Sequence, residues 1–203
     1  MIKVNSRLKP IFAIVLLLVA FLFSGCETDS PEAPAPLTAA VQADKKGVGP
    51  KRPVSAYHNK TLAKIRQATA QYHDVATAMA HGYAQSGECV YSPMGGMGYH
   101  YVNFMLVNDV VDPSKPEALL YEPQKNGKLK LIGVEFIVDA VAWDATHAGS
   151  PMLGDQVFDD HRAPGSPGPP LPHYQLHAWV WKNNPTGMHQ PFNPTVSCAY
   201  AVE

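Results

Sequence analysis

The chain is short of charge of one sign. Lys and Arg number 16 and Asp and Glu 17, a formal net charge of -1, and the basic residues form no long run. Binding to a phosphate backbone needs clustered Lys and Arg, so nucleic acid is not an expected partner. No apolar run reaches the roughly 20 residues of a membrane span. The longest, Ile11 to Phe23, has 13 residues. Cysteine is scarce, with three residues and no Cys-x-x-Cys pair, which removes the common thiolate zinc frameworks. No Gly-x-Ser-x-Gly elbow is present. Met94 to Gly98 is glycine-rich, but no helix with a following Lys makes it a phosphate loop or a dinucleotide fingerprint. It reads as a tight turn or a close backbone approach near Cys89. No internal repeat and no His-x-His pair occur.

What is present begins with an export address. Lys3, Arg7 and Lys9 precede the apolar run, whose length suits a signal peptide. Phe23-Ser24-Gly25-Cys26 then resembles the lipobox of bacterial lipoproteins, with Phe23 where leucine is commoner. Cleavage before Cys26 leaves that cysteine as the lipid attachment point, and the bilayer becomes a partner through its acyl chains. Plain secretion with cleavage nearby is the competing reading. Glu27, rather than Asp, follows Cys26. By the sorting rule that reads this position, the expected location is the cell envelope, with the outer membrane favoured over the inner.

Residues 1–25 are thus assigned to the signal and 26–55 to the lipidated cysteine and a tether. The tether carries Pro31, Pro34, Pro36, Pro50 and Pro53 and shows no apolar period, the pattern of a partly extended spacer. Residues 56–203, roughly 145 of them, have the size of one ordinary domain. Cys89 and Cys198 remain there, in an oxidising compartment, and are expected to form a disulfide rather than act as two metal thiolates. Such a loop is worth roughly 4–5 kcal/mol by chain entropy.

Asn59 to His81 reads as the clearest helix. Leu62, Ile65, Thr69, Tyr72, Val75, Ala76 and Met79 fall on one stripe, Asn59 is placed to cap it, and His81 and Gly82 end it. Strands are expected over Tyr99–Leu106, Ala118–Tyr121, Leu129–Val141, Tyr174–Trp181 and Thr195–Val202, with a hairpin at Asn126-Gly127. The Leu129 strand is apolar on both faces, as a central strand is: Ile132, Val134, Phe136 and Val138 on one, Leu129, Leu131 and Ile137 on the other. Asp144–Pro172 and Asn183–Pro194 are proline-rich loops. The expected class is α+β: one N-terminal helix packed on a curved, mainly antiparallel sheet of about five strands. A cupin-like barrel is the alternative.

Four residues carry the chemical interest. His100 lies on a face that continues with Val102, Phe104 and Leu106, and Glu135 lies inside the most apolar strand. A buried imidazole needs a hydrogen bond, a carboxylate or a metal, and a buried carboxylate needs a partner. His173 and His177 share a strand face with Gln175, Trp179 and Trp181, although four residues along a strand separate them by roughly 13 Å. Together His100, His173, His177 and Glu135 make a candidate site for Zn, Cu or Fe(II). The alternative is a metal-free Glu135–His100 pair with His173 and His177 on a wet face. His81 reads as a helix-capping residue, and His147, His161 and His189 as solvated loop residues.

Several strings together resemble a family of uncharacterised secreted bacterial proteins. They are His81-Gly82-Tyr83 leading to Cys89, Gly95 to Asn103, Pro116 to Pro123, Val134-Glu135, His173 to Trp179, and Asn184-Pro185 running to Asn193-Pro194 and Ser197-Cys198. The resemblance implies that these strings belong together and implies no activity. The functional expectation is an envelope lipoprotein with a metal-binding domain. Its alternatives are a non-enzymatic small-molecule or glycan module, using Trp179, Trp181, Tyr99 and Tyr101 as an aromatic platform, and a purely structural envelope protein.

Overall fold

The computed structural model describes residues 55–202. The export signal, Cys26 and nearly all of the tether lie outside these residues. Among the described residues no helix is long and apolar enough to cross a membrane.

Helix α1 (Ala56–Thr69) starts at Ser55, whose Oγ accepts a hydrogen bond from the His58 amide at 3.0 Å. A 3-10 turn (Ala70–His73) follows, and Asp74 caps a second helix, α2 (Val75–Ala80). The single helix expected over 59–81 therefore starts earlier and is divided, and Asn59 is not its cap. Ser55 and Asp74 both hold extended backbone and offer a short side-chain oxygen to an orphan amide, so each opens a new helix. The apolar stripe survives the break as far as Val75, but Met79 is 59% exposed. His81 caps α2 and Gly82 follows at φ +90°, as expected.

The strands are β1 (Ala84–Ser92), β2 (Gly95–Val102), β3 (Ala118–Pro123), β4 (Leu129–Asp139), β5 (Met152–Leu153), β6 (Gln156–Val157), β7 (Asp159–His161) and β8 (His173–Ala178). Helix α3 (Ala140–Asp144) follows β4 directly. Six strands form one curled antiparallel sheet in the order β1-β2-β3-β4-β8-β7, and β5 and β6 form a separate small hairpin. The α+β class with a curved antiparallel sheet is as the sequence predicts, with six strands rather than about five.

Three assignments change. The stretch Asp144–Pro172, expected as one loop, contains the β5–β6 hairpin and the short edge strand β7, which pairs with β8 over three residues. β1 was not expected, because Ala84 to Ser92 is almost wholly exposed and has no apolar alternation to reveal it. It pairs with β2 on one side only and is held at the sheet edge by the Cys89–Cys198 disulfide. Thr195–Val202 forms no strand. Val196 packs beside Leu120 and Trp179, the Ser197 amide donates to Glu122 Oε1 at 3.0 Å, and Val202 meets the Tyr99 hydroxyl. Those contacts are made by turns rather than by a ladder.

One sheet face carries Tyr101, Leu119, Tyr121, Val134, Phe136 and Leu176 and packs with Leu62 and Ile65 of α1. Burying each large apolar side chain contributes about 1.5–3 kcal/mol. On β4 the strict alternation fails once. Leu120 pairs with Gly133 but Tyr121 pairs with Leu131, so Ile132 is an extra residue, a bulge. It sends Leu131 into the main core and Ile132 to the opposite face, beside Leu120 and Trp179. Below the bulge, Glu135 and Ile137 keep the face opposite to the main core.

Candidate metal centre

Three strands each bring one side chain to a single point on that second face. Glu135 on β4 is paired directly with His177 on β8, and Ala118 on β3 flanks Glu135 from the other side. His100 lies on β2, opposite Leu120, one strand further out. Strands are spaced about 4.8 Å apart, so the His100 ring must reach over β3 to meet Glu135. In the row that ends at Glu135, β3 carries Ala118, fully buried and with only a methyl group as its side chain. The β2 backbone is drawn close to β3 by Gly98, at φ +85°. A Cβ at that position would fall 2.4 Å from the Tyr121 carbonyl oxygen.

His100 Nε2 is 3.6 Å from Glu135 Oε2, and His177 Nε2 is 3.7 Å from Glu135 Oε1. The three donor atoms lie within 4.8 Å of one another. These spacings are too long for hydrogen bonds. The two His–Glu spacings fall inside the about 4.2 Å that bonds of about 2.1 Å allow between two ligand atoms; the 4.8 Å that bounds all three is wider, so an ion would draw the donors together. His177 is fully buried, and neither of its ring nitrogens has a hydrogen-bond partner. Buried polar atoms are rarely left so. His100 retains slight exposure, which puts the solvent side of the group at β2.

Burial sets the charge states. It pushes His100 down to about 4. It also takes His177 down to about 3, with neighbouring imidazoles adding to the effect. Glu135 is pushed up to about 8 by the same loss of water. At neutral pH without an ion the site therefore holds two neutral imidazoles and a mostly protonated carboxyl group. Glu117, next to Ala118, is a second buried acid raised to about 8 by burial, against the lowering effect of the Ile137 amide that donates to its Oε2 at 2.9 Å.

His173 does not join the group. It faces the same way as His177 but sits opposite Asp139, at the far end of β8. Both of its ring nitrogens are engaged, Nδ1 with the Leu171 carbonyl at 2.7 Å and Nε2 with Gln175 Oε1 at 3.2 Å. Gly168, at φ +114°, packs so tightly on the ring that a Cβ there would meet Nε2 at 2.8 Å. The rise per strand residue is the reason for the separation.

The loop histidines are not all solvated as expected. His147 is exposed and stacks on Trp143 at 3.7 Å, and His161 lies over His173 at 5.2 Å. His189 is half-buried and turns inward: its Nδ1 is 2.6 Å from the His177 carbonyl oxygen. The aromatic residues considered for a platform are divided between the faces. Tyr99 and Tyr101 belong to the main core, where Trp181 packs half-buried, whereas Trp179 lies on the second face, 1% exposed. Trp179 Nε1 donates to the Gln190 carbonyl and Trp181 Nε1 to Thr69 Oγ1. What the sequence reading missed is Ala118, whose place beside Glu135 is visible only once β2, β3 and β4 are side by side.

Compared with family models, with curated proteins and with solved structures, the chain shows no match.

Proposed function

We propose that this protein binds one transition-metal ion, Zn, Cu or Fe(II), through His100, Glu135 and His177. The observation that carries the reading is the convergence of three donors from separate strands, two buried and His100 slightly exposed, with both nitrogens of His177 lacking any other partner. Two imidazoles and one carboxylate suit these metals. Three protein donors leave at least one coordination position for water or a small-molecule ligand, entering from the His100 side. His173 is not among the proposed ligands. The sequence of residues 1–26 supports placement on the cell envelope through a lipidated Cys26, with the outer membrane favoured.

Metal content of untagged protein tests the site. One tightly held equivalent of Zn, Cu or Fe is expected, in the protein as purified or after reconstitution, and that equivalent is expected to be lost in Glu135→Ala and His177→Ala. Wild-type protein that holds no metal after reconstitution with each ion overturns the reading. Lipid attachment is tested separately by acyl-chain labelling, which is expected to vanish in Cys26→Ser.

A further inference from the structure

A second pair of imidazoles meets on the other side of the His177 backbone. His58, in the first turn of α1, is buried, and its Nε2 is 3.2 Å from His189 Nε2. The rings stand nearly perpendicular, at 85°. Each ring has an acceptor at its other nitrogen. His189 Nδ1 is 2.6 Å from the His177 carbonyl oxygen, which can only accept, so this nitrogen carries the proton. In a neutral His189 the Nε2 lone pair then points at His58. His58 Nδ1 is 2.9 Å from Asp155 Oδ1, off the ring N–H direction, so that nitrogen lacks a well-aligned hydrogen bond.

Two tautomers are open to a neutral His58, and both leave a conflict. With the proton on Nδ1, facing the Asp155 carboxylate, two Nε2 lone pairs confront each other at 3.2 Å. With the proton on Nε2, a lone pair confronts the carboxylate at 2.9 Å instead. An imidazolium at His58, donating to Asp155 and to His189 Nε2, removes both conflicts with a proton; in the first arrangement a cation between the two Nε2 atoms removes the conflict with a metal. Two nitrogens bound at about 2.05 Å to one tetrahedral ion stand about 3.3 Å apart, close to the spacing here. A carboxylate or backbone carbonyl behind the outer nitrogen is the usual support for a metal-bound imidazole.

We propose that His58 and His189 form a second metal position, for a borderline divalent cation such as Zn(II), Cu(II) or Ni(II), backed by Asp155 and by the His177 carbonyl. Asp155 is 55% exposed and His189 half-buried, so water completes the coordination from that side. The donors differ from those of the buried group, and His177 joins the two positions, giving its ring to one and its carbonyl to the other. With only two protein donors this position is the weaker.

The test is titration of untagged, metal-free full-length protein with Zn(II), and with Co(II) followed by its visible absorption. Wild type is expected to bind two ions per chain, one tightly and one more weakly. His189→Ala and His58→Ala are each expected to lose the weaker equivalent and to keep the tight one. Glu135→Gln is expected to weaken or lose the tight one and to keep the other. Asp155→Asn, which leaves both Nε2 donors and the fold in place, is expected to weaken the second equivalent by about 10- to 100-fold. Wild-type stoichiometry unchanged by His58→Ala and His189→Ala overturns the proposal, whatever becomes of the buried site. So does an Asp155→Asn protein with both affinities unchanged.

Discussion

Binding of an ion at the buried group should release close to one proton at pH 7, and the proton should come from Glu135. His100 and His177, at about 4 and about 3, are already neutral at that pH and have no proton to lose. Glu135, at about 8, is then about nine-tenths protonated. The ion takes the carboxylate, so release should be about one proton at pH 6, about 0.9 at pH 7 and about half at pH 8. Affinity should rise about tenfold between pH 6 and 7 and level off above pH 8. Unperturbed groups would behave differently. Two imidazoles near 6.5 and a carboxyl near 4.3 would release about 1.5 protons at pH 6 and about 0.1 at pH 8. Calorimetric titration with Zn(II) in buffers of different ionisation enthalpy measures the number directly. His189→Ala protein is the right material, because only the buried donors then bind. A release near 1.5 protons at pH 6 that falls almost to zero by pH 8 would refute the account of the site as a desolvated, neutral trio.

The same desolvation should be legible in stability. The raised Glu135 favours folding below its unfolded value near 4.5 and loses that advantage as pH rises toward 8. Urea unfolding of metal-free protein should therefore show wild type losing about 1 kcal/mol per pH unit relative to Glu135→Gln between pH 5 and 7.5, and parallel stability curves would contradict this. Ala118→Leu puts a larger side chain beside Glu135. Tight metal binding should fall at least tenfold, with about 1–3 kcal/mol of overpacking, as read by titration and by thermal unfolding. Unfolding of the Cys89→Ser, Cys198→Ser double variant should be easier by about 2–5 kcal/mol, because a bridge across 109 residues is lost. Lys182→Met removes the ammonium that holds the buried Glu122 carboxylate through two contacts at 2.7 Å. It should cost about 3 kcal/mol in urea unfolding, with little effect on metal affinity.

Local chemistry was enough to announce much of this molecule. The apolar strand around Glu135, the turn at Asn126-Gly127 and the stripe through Leu62 and Ile65 follow from side-chain type and spacing, since burial on one face and turn geometry are short-range demands. The pairing of Cys89 with Cys198 follows from count, as the two cysteines left besides Cys26. The presence of a carboxylate and imidazoles on strand faces was likewise legible, and it marked His100, Glu135, His173 and His177 as candidates in need of partners. Only the tertiary structure decided which partners. A strand face does not reveal its neighbours in the sheet, so the order β2-β3-β4-β8 alone puts His100 and His177 on either side of Glu135 and leaves His173 at the far end of β8. The bulge at Ile132 and the edge strand Ala84–Ser92 leave no periodic trace in the sequence. The meeting of His58 with His189, 131 residues apart, depends on how α1 packs beside a distant loop. Such contacts are set by the packing of whole elements, which no window of neighbouring residues contains.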